Sequence, residues 1–367
     1  MAGRPVVLKP EHLQRTGSFK LRGAYNRMSE LPAGTAVVAG SAGNHAQGVA
    51  LAAHLLHLPA TIFMPVNAAL PKIEATRAYG AQVYLTGASV ENCIGAARAH
   101  AGDAAAVYVP PFDDPLVVAG QATVGLELAR EAPDSEVVVV PVGGGGLISG
   151  VAAALAHWAP GIRVVGVEAA GAASMSAALR AGSPVTLESV STIADGIAVG
   201  RVSELTLEHV QAYVDDLVEV TDEEISHAML VLLERCKWLV EPAGAVGLAA
   251  VLAGRIPGAG TATVVLSGGN VDPLLLTRLV EHGLSAAGRY LRLRVVLRDH
   301  PGALAALTAA LAELGLNVLD VAHHRSGAAR AGPEDVEVQV TVETRDPGHQ
   351  EQTVADLRAR GFRVEPL

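Results

Sequence analysis

Apolar positions along this chain fall into two alternating periods. Short apolar runs closed by glycine, proline or polar residues, at Val6 to Leu8, Ala36 to Ala39, Ala60 to Met64 and Gln82 to Leu85, predict strands. Between them Leu21, Ala24, Tyr25, Met28 and Leu31 recur at helical spacing, and further helices are predicted at Ala46 to Leu56, Lys72 to Tyr79 and Val90 to His100. After the irregular stretch Pro111-Phe112-Asp113-Asp114-Pro115 a helix near Ala119 to Arg130 opens a second set. It comprises strand Glu136 to Val142, helix Ile148 to Trp158, strand Arg163 to Glu168, helices near Ser174 and Glu223, strand Thr261 to Leu266 and a helix from Pro273. Such alternation predicts an α/β protein of βαβ units, two mostly parallel sheets whose lobes share one cleft.

The pattern changes at Leu284 to Arg289. Beyond it come strand Leu291 to Arg298, helix Pro301 to Leu314, strand Asn317 to His324, a glycine-containing hairpin, strand Val336 to Glu343, a helix near Gln350 to Arg360 and strand Phe362 to Glu365. This βαββαβ order is the ferredoxin-like pattern and predicts a separate domain over 291–367, joined by a linker at 286–290 to a first domain over 1–285. His323 and His324, adjacent on a strand, would point to opposite faces and so form no metal site.

Half of the 367 residues are hydrophobic, enough for a large core, and aromatics are only 3%. The formal charge of -10 argues against nucleic acid and anionic membrane as partners. Cys93 and Cys236 have no metal-ligand spacing and suggest no disulfide framework. Apolar runs such as Trp238 to Gly254 are interrupted, and the N-terminus lacks a signal-peptide core, so a soluble, cytoplasmic protein is expected.

Four features carry candidate chemistry. Ser18 reads as a helix N-cap, which puts Lys20 in a first helical turn, where partial positive charge disfavours an ammonium and favours a neutral, nucleophilic amine. A solvated surface lysine is the plainer reading. The loop Gly143-Gly144-Gly145-Gly146, between a valine strand and a helix, offers backbone amides to a phosphate; a tight turn is the alternative. It is neither a P-loop nor a dinucleotide fingerprint, because the residues after it do not fit. Ser41 to His45 could hold a small carboxylate or be an ordinary helix start capped by Ser41. Ser267 ends a strand at the edge where parallel sheets bind ligands. An amine, two anion cradles and a hydroxyl around one crevice suit pyridoxal 5'-phosphate acting on an amino acid.

The motifs QRTGSFKLRGAYN, GSAGNHAQGVA, PFDDPLVVAGQATVGLE, PVGGGGLISG, TIADGIAV, EPAGAVGLAA and LSGGNVD closely resemble the fold-type II pyridoxal-phosphate enzymes, and within them the threonine ammonia-lyases (threonine dehydratases) with a C-terminal ACT domain. The resemblance implies a two-lobed catalytic domain like the tryptophan synthase β-subunit, with a smaller lobe at about 34–118 inserted in the larger. It makes Lys20 the Schiff-base lysine that also removes the substrate Cα proton, Gly143 to Gly146 the phosphate loop, and Phe19 a neighbour of the cofactor. Asn44 is similar to the asparagine beside the cofactor's ring hydroxyl, Ser267 to the residue facing the pyridine nitrogen, and Phe112 to a neighbour packed on the ring. Ser41, Asn44 and His45 would hold the substrate carboxylate. Related serine racemases place a second serine where Ala42 stands, so racemisation is disfavoured here. Glu168 is followed six residues on by Ser174 instead of the aspartate of the family's cation site, so no metal is expected.

Family members have a further stretch ahead of the first strand, and this sequence begins almost at that strand; either the sequence is short or the segment is dispensable. The last domain resembles an ACT module, with His300, Gly302 and Asn317 as effector residues; an oligomerisation domain without ligand is the alternative. The implied reaction is L-threonine to 2-oxobutanoate and ammonia, with L-serine to pyruvate as a side activity, in a homo-oligomer (dimer or tetramer) modulated by isoleucine or valine. The alternatives are serine racemisation or another β-elimination or β-replacement, and an amino-acid sensor with a non-functional catalytic lobe.

Overall fold

The computed structural model describes residues 2–286, 288–324 and 334–367, and it divides into two compact units, Met1–Leu276 and Thr277–Leu367. The first unit opens with β1 (Val6–Lys9), α1 (Lys20–Ser29), β2 (Val37–Gly40), α2 (Asn44–Leu55), β3 (Ala60–Met64), α3 (Leu70–Ala78), β4 (Gln82–Leu85), α4 (Val90–Asp103) and β5 (Val107–Tyr108). It continues through α5 (Pro115–Glu131), β6 (Val137–Pro141), α6 (Gly146–Trp158), β7 (Arg163–Ala169) and α7 (Ser174–Ala181). It closes with α8 (Glu204–Tyr213), β8 (Asp216–Val220), α9 (Asp222–Val231), α10 (Pro242–Leu252), β9 (Ala262–Val265) and α11 (Pro273–Ala286), the last crossing into the second unit.

Two parallel sheets result, β4-β3-β2-β5 in the smaller lobe and β1-β9-β6-β7-β8 in the larger. The run Val137 to Val140 is wholly buried, as a strand covered by helices on both faces must be. Helix α2 is buried from His45 to Ala53 and packs among α1 and the smaller sheet, which is why its composition is apolar on every side. Four elements were not anticipated. Strand β5 has only two residues, the acidic positions Asp216 and Glu219 hide the period of edge strand β8, α8 lies in a stretch with little apolar periodicity, and the interrupted apolar run at Trp238 to Gly254 contains α10 with Pro242 at its first turn.

The second unit has β10 (Tyr290–Arg298), α12 (Ala303–Glu313), β11 (Val318–His324), β12 (Asp335–Glu343), α13 (Pro347–Ala359) and β13 (Arg363–Pro366), in the expected βαββαβ order. Its antiparallel sheet runs β11-β12-β10-β13 over a core including Leu293, Val295, Leu307, Leu311, Val338 and Leu357. The expected glycine-containing hairpin lies outside the described residues. Among the described residues no helix is long and apolar enough to cross a membrane.

Candidate active site

Lys20 is the first residue of α1, and Phe19, with no side-chain cap, holds the N-cap position assigned above to Ser18. Ser18 is instead fully buried in a backbone bridge to Gly268, with its hydroxyl unpartnered, and the Phe19 amide donates to the Ser267 carbonyl at 3.1 Å. The loop after β9 therefore clamps the start of the lysine helix. The amine donates to the Pro111 carbonyl at 3.0 Å and lies 5.1 Å from the centre of the Phe19 ring. Lys20 keeps some exposure towards the cleft, but its amine is densely surrounded. Burial pushes its pKa down to about 8 against the opposing pull of Glu241. Dehydration, more than the helix terminus invoked from the sequence, favours the neutral amine.

Pro111 leads directly to Phe112, which packs on the glycine loop. A Cβ on Gly144 would lie 2.2 Å from a Phe112 ring carbon, and one on Gly143 would lie 2.8 Å from the Ile197 Cα. Gly145, at φ +89, is the N-cap of α6 and provides no side chain to its amides. Crowding thus requires glycine at these positions, and the helix amides behind them have no side-chain partner.

On the smaller lobe, β2 delivers the Ser41 to His45 loop to the same cleft. The N-cap of α2 is Gly43, and the Ser41 hydroxyl accepts from the Gly43 amide at 3.2 Å, two residues before the position expected of a cap. Asn44 donates to Glu241 Oε1 at 2.6 Å and accepts from Asn270 Nδ2 at 2.9 Å; Asn270 also donates to the Thr16 carbonyl. His45, expected to help hold a substrate carboxylate, has a backbone partner of its own. Its buried ring stands with Nε2 2.9 Å from the Val109 carbonyl, and burial, then the Lys20 charge, push its pKa down to about 3. A neutral ring tied to the strand end brings no charge to a carboxylate. Ser267 is buried at the end of β9, its hydroxyl held only by a 3.5 Å contact to the Ala243 carbonyl.

Glu241, unremarked in the sequence beyond its place in EPAGAVGLAA, is the buried hub of this wall. Burial and then the Asp195 charge push its pKa up to about 7, against Lys72 and the Asn44 hydrogen bond. Its signal was a lone acid ahead of Pro242 at the head of an apolar stretch. Glu168 is also buried, and its carboxylate accepts from the Met175 and Ser176 amides and the Ser176 hydroxyl at the start of α7. Among the described residues no cluster of three metal-ligating side chains occurs.

The profile of the family described as pyridoxal-phosphate dependent enzyme matches residues 1–268, and that of the ACT domain residues 291–362. This chain belongs to the pyridoxal-phosphate dependent enzymes. It is 47% identical over 367 residues to an L-threonine ammonia-lyase of Thermotoga maritima, covering 99% of this chain and 91% of that one. A Geobacter sulfurreducens protein of the same name is 46% identical, with 100% and 92% covered. Among solved structures, processed threonine deaminase isoform 2 of Solanum lycopersicum superposes with a TM-score of 0.74 at 40% identity, covering 77% and 79% of the two chains. Maize serine racemase gives 0.71 at 36% identity, covering 78% and 89%.

Membership of the pyridoxal-phosphate dependent enzymes fits the residues present. A surrounded amine of lowered pKa, glycine-lined helix amides lacking a cap and a lightly held hydroxyl at a strand end are the complementary groups that an aldehyde, a phosphate and a ring nitrogen need. The effector residues expected in the ACT domain lie at two ends of its sheet. Gly302, at φ +94, caps α12 beside exposed His300, whereas Asn317 donates to Glu343, which pairs with Tyr290 at the opposite end of β10. Helix α12 runs back along the sheet, so β11 starts where β10 starts, and one chain does not bring these three residues into one site.

Proposed function

We propose that this chain converts L-threonine to 2-oxobutanoate and ammonia, with L-serine to pyruvate as a side activity. The observation that carries the reading is the surrounded Lys20 amine, biased to its neutral form and donating to Pro111, next to the Phe112 ring that packs on the glycine loop. When bound, pyridoxal 5'-phosphate supplies the electron sink that makes the substrate Cα proton acidic. Lys20 anchors the cofactor and then takes that proton. Gly143 to Gly146 and the first amides of α6 would hold the phosphate, Asn44 would serve the ring hydroxyl and Ser267 the ring nitrogen, with Phe19 and Phe112 as apolar neighbours. Ser41, Asn44 and the start of α2 orient the substrate carboxylate, with His45 fixing their loop to Val109.

The catalytic domain spans 1–285, a linker 286–290 and the ACT domain 291–367. Isoleucine or valine binds the ACT domain, completed by a second copy in a cytoplasmic dimer or tetramer, and modulates the lyase. The test is an oxo-acid assay with threonine on purified protein, with and without each branched-chain amino acid. Absence of a cofactor absorbance band, or of 2-oxobutanoate, overturns the reading.

A further inference from the structure

Beside the Ser41 to His45 loop lies a cavity of about 370 Å³, bounded by Ala42, Lys72, Ser89, Asp195, Glu241 and Asn270 among others. Among the described residues lining it, Lys72 has the one positive charge, against the acidic side chains Asp195, Glu241 and Asp272. Lys72 comes from α3 on the smaller lobe, and Asp195 from the short 3-10 helix Asp195–Ile197 on the larger. The ammonium donates to Asp195 Oδ2 at 2.8 Å, with side-chain exposures of 16% and 57%. A half-exposed pair of this kind adds little to stability and exchanges partners readily. The same ammonium stands over the loop that faces the cleft: a Cβ on Gly43 would lie only 3.6 Å from Lys72 Nζ.

The groups named so far for a substrate carboxylate are all uncharged. His45 is neutral, Asn44 is engaged with Glu241 and Asn270, and the Ser41 hydroxyl serves the Gly43 amide. The first amides of α2 offer a carboxylate only partial positive charge beside a cavity with three acids, and a full cation is poised at the same loop. We propose, resting on the amino-acid lyase reading above, that Lys72 binds the substrate α-carboxylate and that the Asp195 carboxylate occupies the ammonium until substrate displaces it. The exchange replaces one carboxylate by another, so the half-buried ammonium is never left unpaired.

The test compares Lys72→Gln, Lys72→Arg and Asp195→Asn in the full-length holoenzyme, with the thermal midpoint of each recorded. Lys72→Gln is expected to raise KM for threonine about tenfold with a smaller change in kcat, as loss of one charge-assisted hydrogen bond does. Lys72→Arg should recover most of it, and Asp195→Asn should lower KM by up to about fivefold by removing the competitor. Calorimetric titration with L-alanine, which has the carboxylate but no β-hydroxyl to lose, should rank the proteins identically. Equal KM increases in Lys72→Gln and Asp195→Asn would make the pair a clasp between lobes and overturn the proposal, as would an unchanged KM in Lys72→Gln. If Lys72→Gln does not fold, a raised KM in Asp195→Asn still decides against it. If the wild-type protein does not turn over threonine, the lyase reading fails, and the L-alanine titrations still test Lys72.

Discussion

Asn44 Nδ2 donates to Glu241 Oε1 across 2.6 Å, joining the first residue of α2 in the smaller lobe to the N-cap of α10 in the larger. The bond fixes the amide of Asn44 with its oxygen towards Asn270, so the orientation of a residue at the head of α2 is set from the other lobe. Glu241 is buried and binds its proton more tightly than an ordinary carboxyl, up to about 7.

That shift predicts a pH-dependent stability. The native state binds the Glu241 proton more tightly than the unfolded chain, so its contribution is fully present below the ordinary value of 4.5 and is lost as pH rises through about 7. Calorimetric unfolding between pH 5 and 8 should show the wild-type midpoint falling relative to that of Glu241→Gln. Between pH 5 and 8 the difference in unfolding free energy between the two proteins should change by on the order of 3 kcal/mol, at roughly 1.4 kcal/mol per pKa unit. Parallel curves for the two proteins would remove Glu241 as the titrating group.

Lys20 should react as a neutral amine at unusually low pH. Burial lowers its pKa from the ordinary 10.5 to about 8, so acetylation of the cofactor-free protein should reach half its maximal rate near pH 8 at this lysine, while Lys9, whose pKa is raised by Glu127 and Glu131 against the effect of burial, lags. Peptide mass spectrometry reads each site. In Glu241→Gln the midpoint should fall further, because the Glu241 charge supports the ammonium. A midpoint near 10 would contradict the depression.

Why some of this was legible in the sequence and some was not follows from the range of the interactions. The alternation of apolar runs and the strand-end glycines are local, and they placed both lobes, the lysine helix and Gly143 to Gly146. Ser18 misled because a serine before a helical run looks like a cap, whereas its bridge to Gly268 depends on a strand at the far end of the domain. Glu241 escaped because its partners Asn44 and Asp195 are distant in sequence, and a single acid in an apolar run has no period. Asn317 was grouped with His300 because sequence distance is silent about which end of a sheet a crossover helix returns to.

The glycine loop should be sensitive to a single methyl group. Alanine at 144 would put its Cβ 2.2 Å from the Phe112 ring, whose neighbour Pro111 holds the Lys20 amine. Gly144→Ala should lower stability by about 1–3 kcal/mol, the usual cost of overpacking, and weaken cofactor retention on dialysis. Phe112→Leu combined with Gly144→Ala should recover part of both, a coupling that a double-mutant cycle measures. Purely additive effects would show that the ring is not the obstacle.

Ala42 should determine whether the protein only eliminates. It borders the cavity shared by Lys72 and Glu241, and its methyl group cannot exchange a proton with substrate Cα. If Lys20 is the proton carrier at that carbon, as proposed above, a proton removed on its face would meet no donor at position 42, and elimination of the β-hydroxyl would follow. Ala42→Ser places a hydroxyl there without adding much volume. Incubated with L-serine, the variant should form D-serine alongside pyruvate, while the wild-type protein forms pyruvate alone; chiral chromatography separates the two. D-serine from the wild-type protein would mean that another group already serves the second face, and none from Ala42→Ser would mean that the residue at 42 does not reach Cα.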